Sequence, residues 1–201
     1  MKRLHRDDLF GWSQFNEERD LDFHSVLWVR PEGNVAIDPL PLIPHDRAHI
    51  ERLGGVAWIV VTNSDHVRAA ADLADWTGAR IAGPRAEADT FPLLCDRWLR
   101  DGDFVVSGLR VFEMQGSKTR GELALWLEPD TLITGDLVRC HKAGWLCLLP
   151  EGKLEDPAEA RASVERLAAL PGIEAVLVGD GWPVFRDGHA RLRELYQSLL
   201  R

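Results

Sequence analysis

Val60-Val61-Thr62-Asn63-Ser64-Asp65-His66 decides how this chain is read. An apolar run rich in β-branched residues, positions 57–61, passes directly into a polar tip that ends in a carboxylate and an imidazole. The run suits a buried strand. Beyond the tip, Val67, Ala70, Ala71 and Ala74 recur at helical spacing, Asn63 or Ser64 can cap that helix, and Gly78 stops it. A strand that ends in polar residues and feeds a helix is the unit of layered α/β folds. The same form returns twice, in Thr134-Gly135-Asp136 and in Val178-Gly179-Asp180-Gly181. Ligand sites of such folds gather at strand ends, so the candidate site lies where these three tips meet.

Working outward, Ser25-Val26-Leu27-Trp28-Val29-Arg30 and Val35-Ala36-Ile37-Asp38 read as paired strands around the turn Pro31-Glu32-Gly33-Asn34. A short helix follows the prolines, with Ile50 and Leu53 inward and Gly54-Gly55 as its stop, and residues 80–83 form a short strand. The stretches 104–106, 109–112, 123–127 and 131–134 read as successive strands in antiparallel hairpins, turned at Ser107-Gly108 and Glu128-Pro129-Asp130. Asp156-Pro157 opens a helix whose buried stripe is Ala160, Val164, Leu167 and Ala168. A strand at 175–178 and a last helix with Leu192, Leu195, Tyr196 and Leu199 inward complete the chain. Two strand-rich halves, each followed by helices, define an α/β fold. The expected architecture is a four-layer αββα sandwich, two mixed β-sheets face to face with helices outside, as a single domain over residues 1–201.

The tips also carry a resemblance. Their order and spacing are similar to the metallo-β-lactamase fold superfamily, whose hallmark is His-x-His-x-Asp-His after a strand, then a third histidine in a glycine-flanked loop, a Thr-Gly-Asp and a late Gly-His-Gly. Thr134-Gly135-Asp136 matches the Thr-Gly-Asp, and Ile37-Asp38 resembles the aspartate that supports the metal loop. The departures are organised. Val61 and Asn63 stand at the two leading histidine positions, and Asp180 stands at the late one. In Gly116-Ser117-Lys118-Thr119-Arg120-Gly121, anchoring on Gly121 puts Lys118 at the third. The resemblance implies a cavity for two metals. All three histidines of one subsite are missing here, while the other keeps Asp65, His66, Asp136 and Asp180 as candidate metal ligands. Three carboxylates and one imidazole make a hard site, suited to one divalent ion such as zinc, manganese or iron. Clustered carboxylates need a cation, or one of them keeps a proton. Lys118 can supply that charge by pairing with Asp65, Asp136 or Asp180.

Each residue has a plainer reading. Asp65-His66 is also an acidic first helical turn, Asp180 a turn residue between glycines, and Lys118 a surface lysine. Three tips in one register favour the site. Asn63, His141 and Trp182 are candidate lining residues, and Trp145 a wall or interface residue; His24 at a strand start and His45 in the proline-rich loop are weaker candidates, since a lone histidine is usually just solvated.

The formal net charge of −8 disfavours nucleic acid and anionic membranes as partners. Cys95, Cys140 and Cys147 are odd in number with no Cys-x-x-Cys pair, which points to a reduced, cytoplasmic protein without a thiolate zinc site. No apolar run is long enough to span a bilayer. Two functions follow for a small-molecule partner. The first is a hydrolase of the superfamily with one metal, acting on an ester, lactone, thioester or phosphoester, with Asp65 or Asp180 accepting the proton and Lys118 stabilising the oxyanion as catalytic residues. The alternative is a metal-free, non-catalytic homologue that binds a small molecule or a partner, with Lys118 neutralising the aspartates; a further variant of the first is a metal-free hydrolase with Lys118 and an aspartate as an acid–base pair. The eight tryptophans make a homodimer plausible.

Overall fold

The computed structural model describes residues 1–200. Strands β1 (Lys2–Arg3), β2 (Leu9–Asn16), β3 (Leu21–Trp28) and β4 (Val35–Ile37) pair antiparallel in turn. Helix α1 (Pro44–Arg52) then crosses over, so that β5 (Trp58–Val60) joins β4 in parallel. Helix α2 (Ala70–Thr77) delivers β6 (Arg80–Pro84), and β7 (Arg97–Leu99) closes this seven-stranded mixed sheet. The second sheet is a meander of β8 (Leu109–Met114), β9 (Glu122–Leu127) and β10 (Thr131–Thr134). After a small hairpin, β11 (Val138–Lys142) and β12 (Trp145–Leu148), helix α3 (Pro157–Ala168) returns the chain. Strand β13 (Ala175–Val178) lies parallel to β10, and helix α4 (Gly188–Ser198) is the last element among the described residues.

Burial sorts these elements into the four expected layers. Val26, Ile37 and Val60 from the first sheet meet Leu123, Leu125, Ile133 and Leu177 from the second. The intervening Leu27, Ala36 and Ile59 face the other way, against Ile50 of α1 and Leu73 of α2. Alternate residues of one strand thus fill two different cores, as period-two geometry requires. On the far side Leu132 and Val176 pack against Val164 and Leu167 of α3 and Leu192 and Leu195 of α4. The Asp156 carboxylate caps α3 by accepting from the Ala158 and Glu159 amides.

Several local expectations need correction. Residues 104–106 form no strand. Val105 is buried while Phe104 is exposed, and only the single bridge Phe104–Arg110 forms before the tight turn at Gly108. The helix after the first tip begins at Ala70, because Arg68 takes φ +39° and breaks the turn at residues 64–66 from α2. Leu73 therefore replaces Ala71 on the buried face. Strand β2, whose pattern near Ser13-Gln14 is polar, and the short β7, β11 and β12 were not separately delimited by the pattern. Among the described residues no helix is long and apolar enough to cross a membrane.

Candidate active site

Parallel pairing assembles the site. In the second sheet Thr134 pairs with Val178, so Asp136 and Asp180 both fall two residues past the last paired position, side by side. In the first sheet Ile37 pairs with Val60, which sets Asp38 beside Thr62. The Asp38 carboxylate accepts from the Thr62 amide at 2.8 Å and the Thr62 hydroxyl at 2.7 Å, and its second oxygen lies 2.8 Å from His66 Nδ1. Asn63 caps the turn that carries Asp65 and His66 by accepting from the Asp65 amide. Two glycines keep the approach open. A Cβ on Gly179 would stand 2.7 Å from His66 Cε1, and one on Gly181, at φ +95°, would overlap the Cys140 carbonyl.

Around a cavity of about 430 Å³ stand Asp65, His66, Arg68, Lys118, Asp136 and Asp180. Lys118 Nζ sits 2.6 Å from Asp65 and 2.9 Å from Asp136. His66 Nε2 is 3.5 Å from the same Asp136 oxygen. Arg139 pairs with Asp180 and lies 3.9 Å from Asp136. Arg68 Nη2 lies 3.5 Å from the other Asp180 oxygen and 3.4 Å from His66 Nε2. Beneath the floor, Glu122 accepts from Ser117 Oγ at 2.6 Å and from the Leu137 amide at 2.8 Å.

Burial pulls the His66 pKa down, but the Asp38 charge and the bonds to Asp136 and Asp38 outweigh it and raise it to about 9. Burial pushes Asp136 up, and His66 and Lys118 overcome that to hold it well below the usual carboxylate range. Lys118 is raised: Asp136 and Asp65 outweigh its desolvation. Burial, and then the Asp136 charge, push Glu122 up to about 7. The stability consequence has a definite sign. His66 binds its proton more tightly in the fold than at its ordinary value of 6.5. Its contribution is therefore complete below pH 6.5 and disappears as pH rises through about 9. The expected loss across that window is on the order of 3 kcal/mol. Urea unfolding between pH 6 and 10, with NMR titration of the imidazole, measures it; a His66 that titrates near 6.5 overturns the assignment.

The structure thus brings Asp65, His66, Lys118, Asp136 and Asp180 to one cavity. Asn63 is buried under it and donates to Asp136 at 3.3 Å. Two expected lining residues lie elsewhere. His141 is exposed near the tip of the β11–β12 hairpin, beyond the point where the burial of Val138, Arg139 and Cys140 ends. Trp182 lies past the Gly181 turn and lines a separate, more apolar cleft with Trp12 and His24. Trp145 is exposed on the same hairpin as His141. Asp65 faces Lys118 at the rim, outside the tight cluster of His66, Asp136 and Asp180. The sequence reading missed Arg68 and Arg139. The available signal was a basic residue two positions after His66 and another three after Asp136.

The chain belongs to the metallo-beta-lactamase superfamily, whose family description under that name matches residues 1–199. Its similar curated relatives include a hydroxyacylglutathione hydrolase of Fuscovulum blasticum, 35% identical over 133 residues, 64% of this chain and 48% of the relative. A second, from Cereibacter sphaeroides, is 37% identical over 128 residues, 60% of this chain and 47% of the relative. The chain thus matches about half the length of these relatives. A metallo-beta-lactamase from Pontibacter korlensis superposes with a TM-score of 0.74 at 18% identity, covering 96% of both chains. A metallo-beta-lactamase family protein of Thermus thermophilus does so at 0.71 and 20%, covering 96% of this chain and 79% of that one. At those identities the likeness concerns the fold.

The superfamily implies a metal, and the donor set can be tested for it. One ligand atom each from His66, Asp136 and Asp180 lie within 4.8 Å of one another, which is the spacing a shared ion needs. The same atoms already face cations, however: Arg68 at His66 Nε2, Lys118 at Asp136, and Arg139 with Arg68 at Asp180. A divalent ion placed among them meets three fixed positive charges at contact distance. In this arrangement the residues do not fit a metal.

Proposed function

We propose that this domain is a metal-independent member of the superfamily that binds a small molecule in the strand-end cavity, its aspartates neutralised from within by Lys118 and by the arginines beside it. The observation that carries this reading is the position of the Lys118 ammonium, within 2.9 Å of both Asp65 and Asp136. A cavity of about 430 Å³ is of small-ligand size. Of the groups that line the cavity itself, three have shifts that favour binding over acid–base turnover, while Glu122, pushed up to about 7, lies beneath the floor. His66 and Lys118 are raised and Asp136 is lowered, so each moves away from neutrality, where a general acid or base works best.

A second reading has its own support in the 4.8 Å cluster and in the hydroxyacylglutathione hydrolases among the relatives. It is a hydrolase of the superfamily with one divalent metal on His66, Asp136 and Asp180, acting on a thioester or a related ester. Such a metal would polarise the substrate carbonyl and acidify a bound water.

Elemental analysis separates the two. The chain, purified without a histidine tag and reloaded with zinc, manganese or iron, is expected to retain well under one metal per chain, with no difference in Asp136→Ala. Occupancy near one that disappears in Asp136→Ala sinks the metal-independent reading and leaves the hydrolase standing.

A further inference from the structure

Arg68 is built into the site from behind. Its Nη1 donates to the His24 carbonyl at 2.7 Å and to the Asp38 carbonyl at 3.2 Å, and Nη2 donates to the Gly179 carbonyl at 3.4 Å. Those carbonyls come from β3, from the end of β4 and from the end of β13, so three separate elements fix one guanidinium. The backbone supports the same placement: Arg68 holds φ +39°, a strained value for a residue with a Cβ. The Phe23 ring lies 5.4 Å from its Cζ. Arg139 enters from the opposite side on β11, with its side chain 5% exposed and paired to Asp180.

We propose that Arg68 and Arg139 together replace a divalent metal at His66, Asp136 and Asp180, so that a latent metal site lies under two guanidiniums. This rests on the metal-independent reading and extends it from Lys118, beside the emptied subsite, to the subsite that kept its ligands. Two guanidiniums carry the charge of one divalent ion, and between them they face all three ligand side chains. An arginine remains charged across the pH range of a folded protein. The replacement is thus permanent, and independent of metal supply. The Asp38 bond at His66 Nδ1 leaves Nε2 as the nitrogen turned toward the cluster, which is the arrangement of a metal-binding imidazole supported by a carboxylate.

The test is a gain of binding. Wild type, Arg68→Gln/Arg139→Gln and the same double variant with Asp180→Asn are titrated with zinc chloride and with manganese chloride. Calorimetry and thermal unfolding are the readouts. Lys118 also pairs with Asp65 at the rim and can leave Asp136 to an ion, so the double variant is expected to take up about one metal per chain and to gain several degrees in Tm on addition of zinc. Wild type and the Asp180→Asn triple variant are expected to show neither response. A double variant that folds and binds no more metal than wild type overturns the replacement while leaving the metal-independent reading intact. Stoichiometric binding by wild type overturns the metal-independent reading and the replacement with it. If the double variant does not fold with or without zinc, the single Arg139→Gln chain decides, since it keeps the Arg68 carbonyl contacts: zinc uptake above wild type supports the replacement, and none overturns it.

Discussion

Replacing Asp38 by alanine is expected to destabilise the fold by about 3–5 kcal/mol, the range for leaving one partner of a buried ion pair without the other. Asp38 is 3% exposed and serves three donors at once: the Thr62 amide, the Thr62 hydroxyl and His66 Nδ1. Its loss strands a buried imidazolium and a buried amide, and either alone is costly. For a chain of this size the corresponding fall in Tm is on the order of 10 °C. Asp38→Asn keeps the shape and one acceptor oxygen, so its cost is smaller, and it lowers the His66 pKa from about 9. Urea unfolding of the two variants beside wild type measures both effects. A loss below about 1 kcal/mol for Asp38→Ala would mean that His66 is not held as an ion in the fold.

The second large effect is expected at Gly181. Here φ is +95°, and an added Cβ would overlap the Cys140 carbonyl, which itself accepts from the Trp182 amide at 2.7 Å. Because the obstacle is backbone, no rotamer change relieves it. Gly181→Ala should therefore cost more than the roughly 1–3 kcal/mol of an unfavourable backbone conformation alone. It should also displace Asp180, the neighbouring residue, from Arg139. Gly78 supplies the control. It has φ +73°, but nothing lies within 4 Å of where its Cβ would stand. Gly78→Ala should cost only the conformational part, about 1–2 kcal/mol. Equal losses for the two variants in denaturant unfolding would refute the close approach at Gly181.

How much of this was legible beforehand depends on the range of each interaction. The tips at residues 60–66, 134–136 and 178–181 were readable, because each is a local event: an apolar strand that stops at a polar residue. The α3 cap was readable for the same reason, since Asp156 and the amides it accepts from lie within three residues. The layered fold followed from the alternation of strand and helix patterns. Residues 104–106 misled because Val105 is buried in a loop segment, and burial without a partner strand leaves the same apolar signature as burial with one. The placement of His141 and Trp182 failed for a related reason. Proximity in sequence to Asp136 and Asp180 says nothing about which side of a hairpin or turn a side chain takes.

The sequence by itself determined the two-sheet fold, the tips from which a site would be built, and the carboxylates and imidazole on them. It also marked Lys118 as the available cation. Only the tertiary structure decided what those carboxylates face. Arg139 meets Asp180 across 41 positions, and Arg68 reaches the Gly179 carbonyl across 111. The bridge between Cys140 and Gly181 sets the first meeting, and the contact of β3 with the tip after β13, where the His24 amide donates to the Gly179 carbonyl, sets the second; both are properties of the folded chain. Electrostatic energy in a buried site depends on distance and solvent exclusion. The order of charges along a chain therefore reveals which ions are present, and the fold alone reveals that two arginines face the same three side chains.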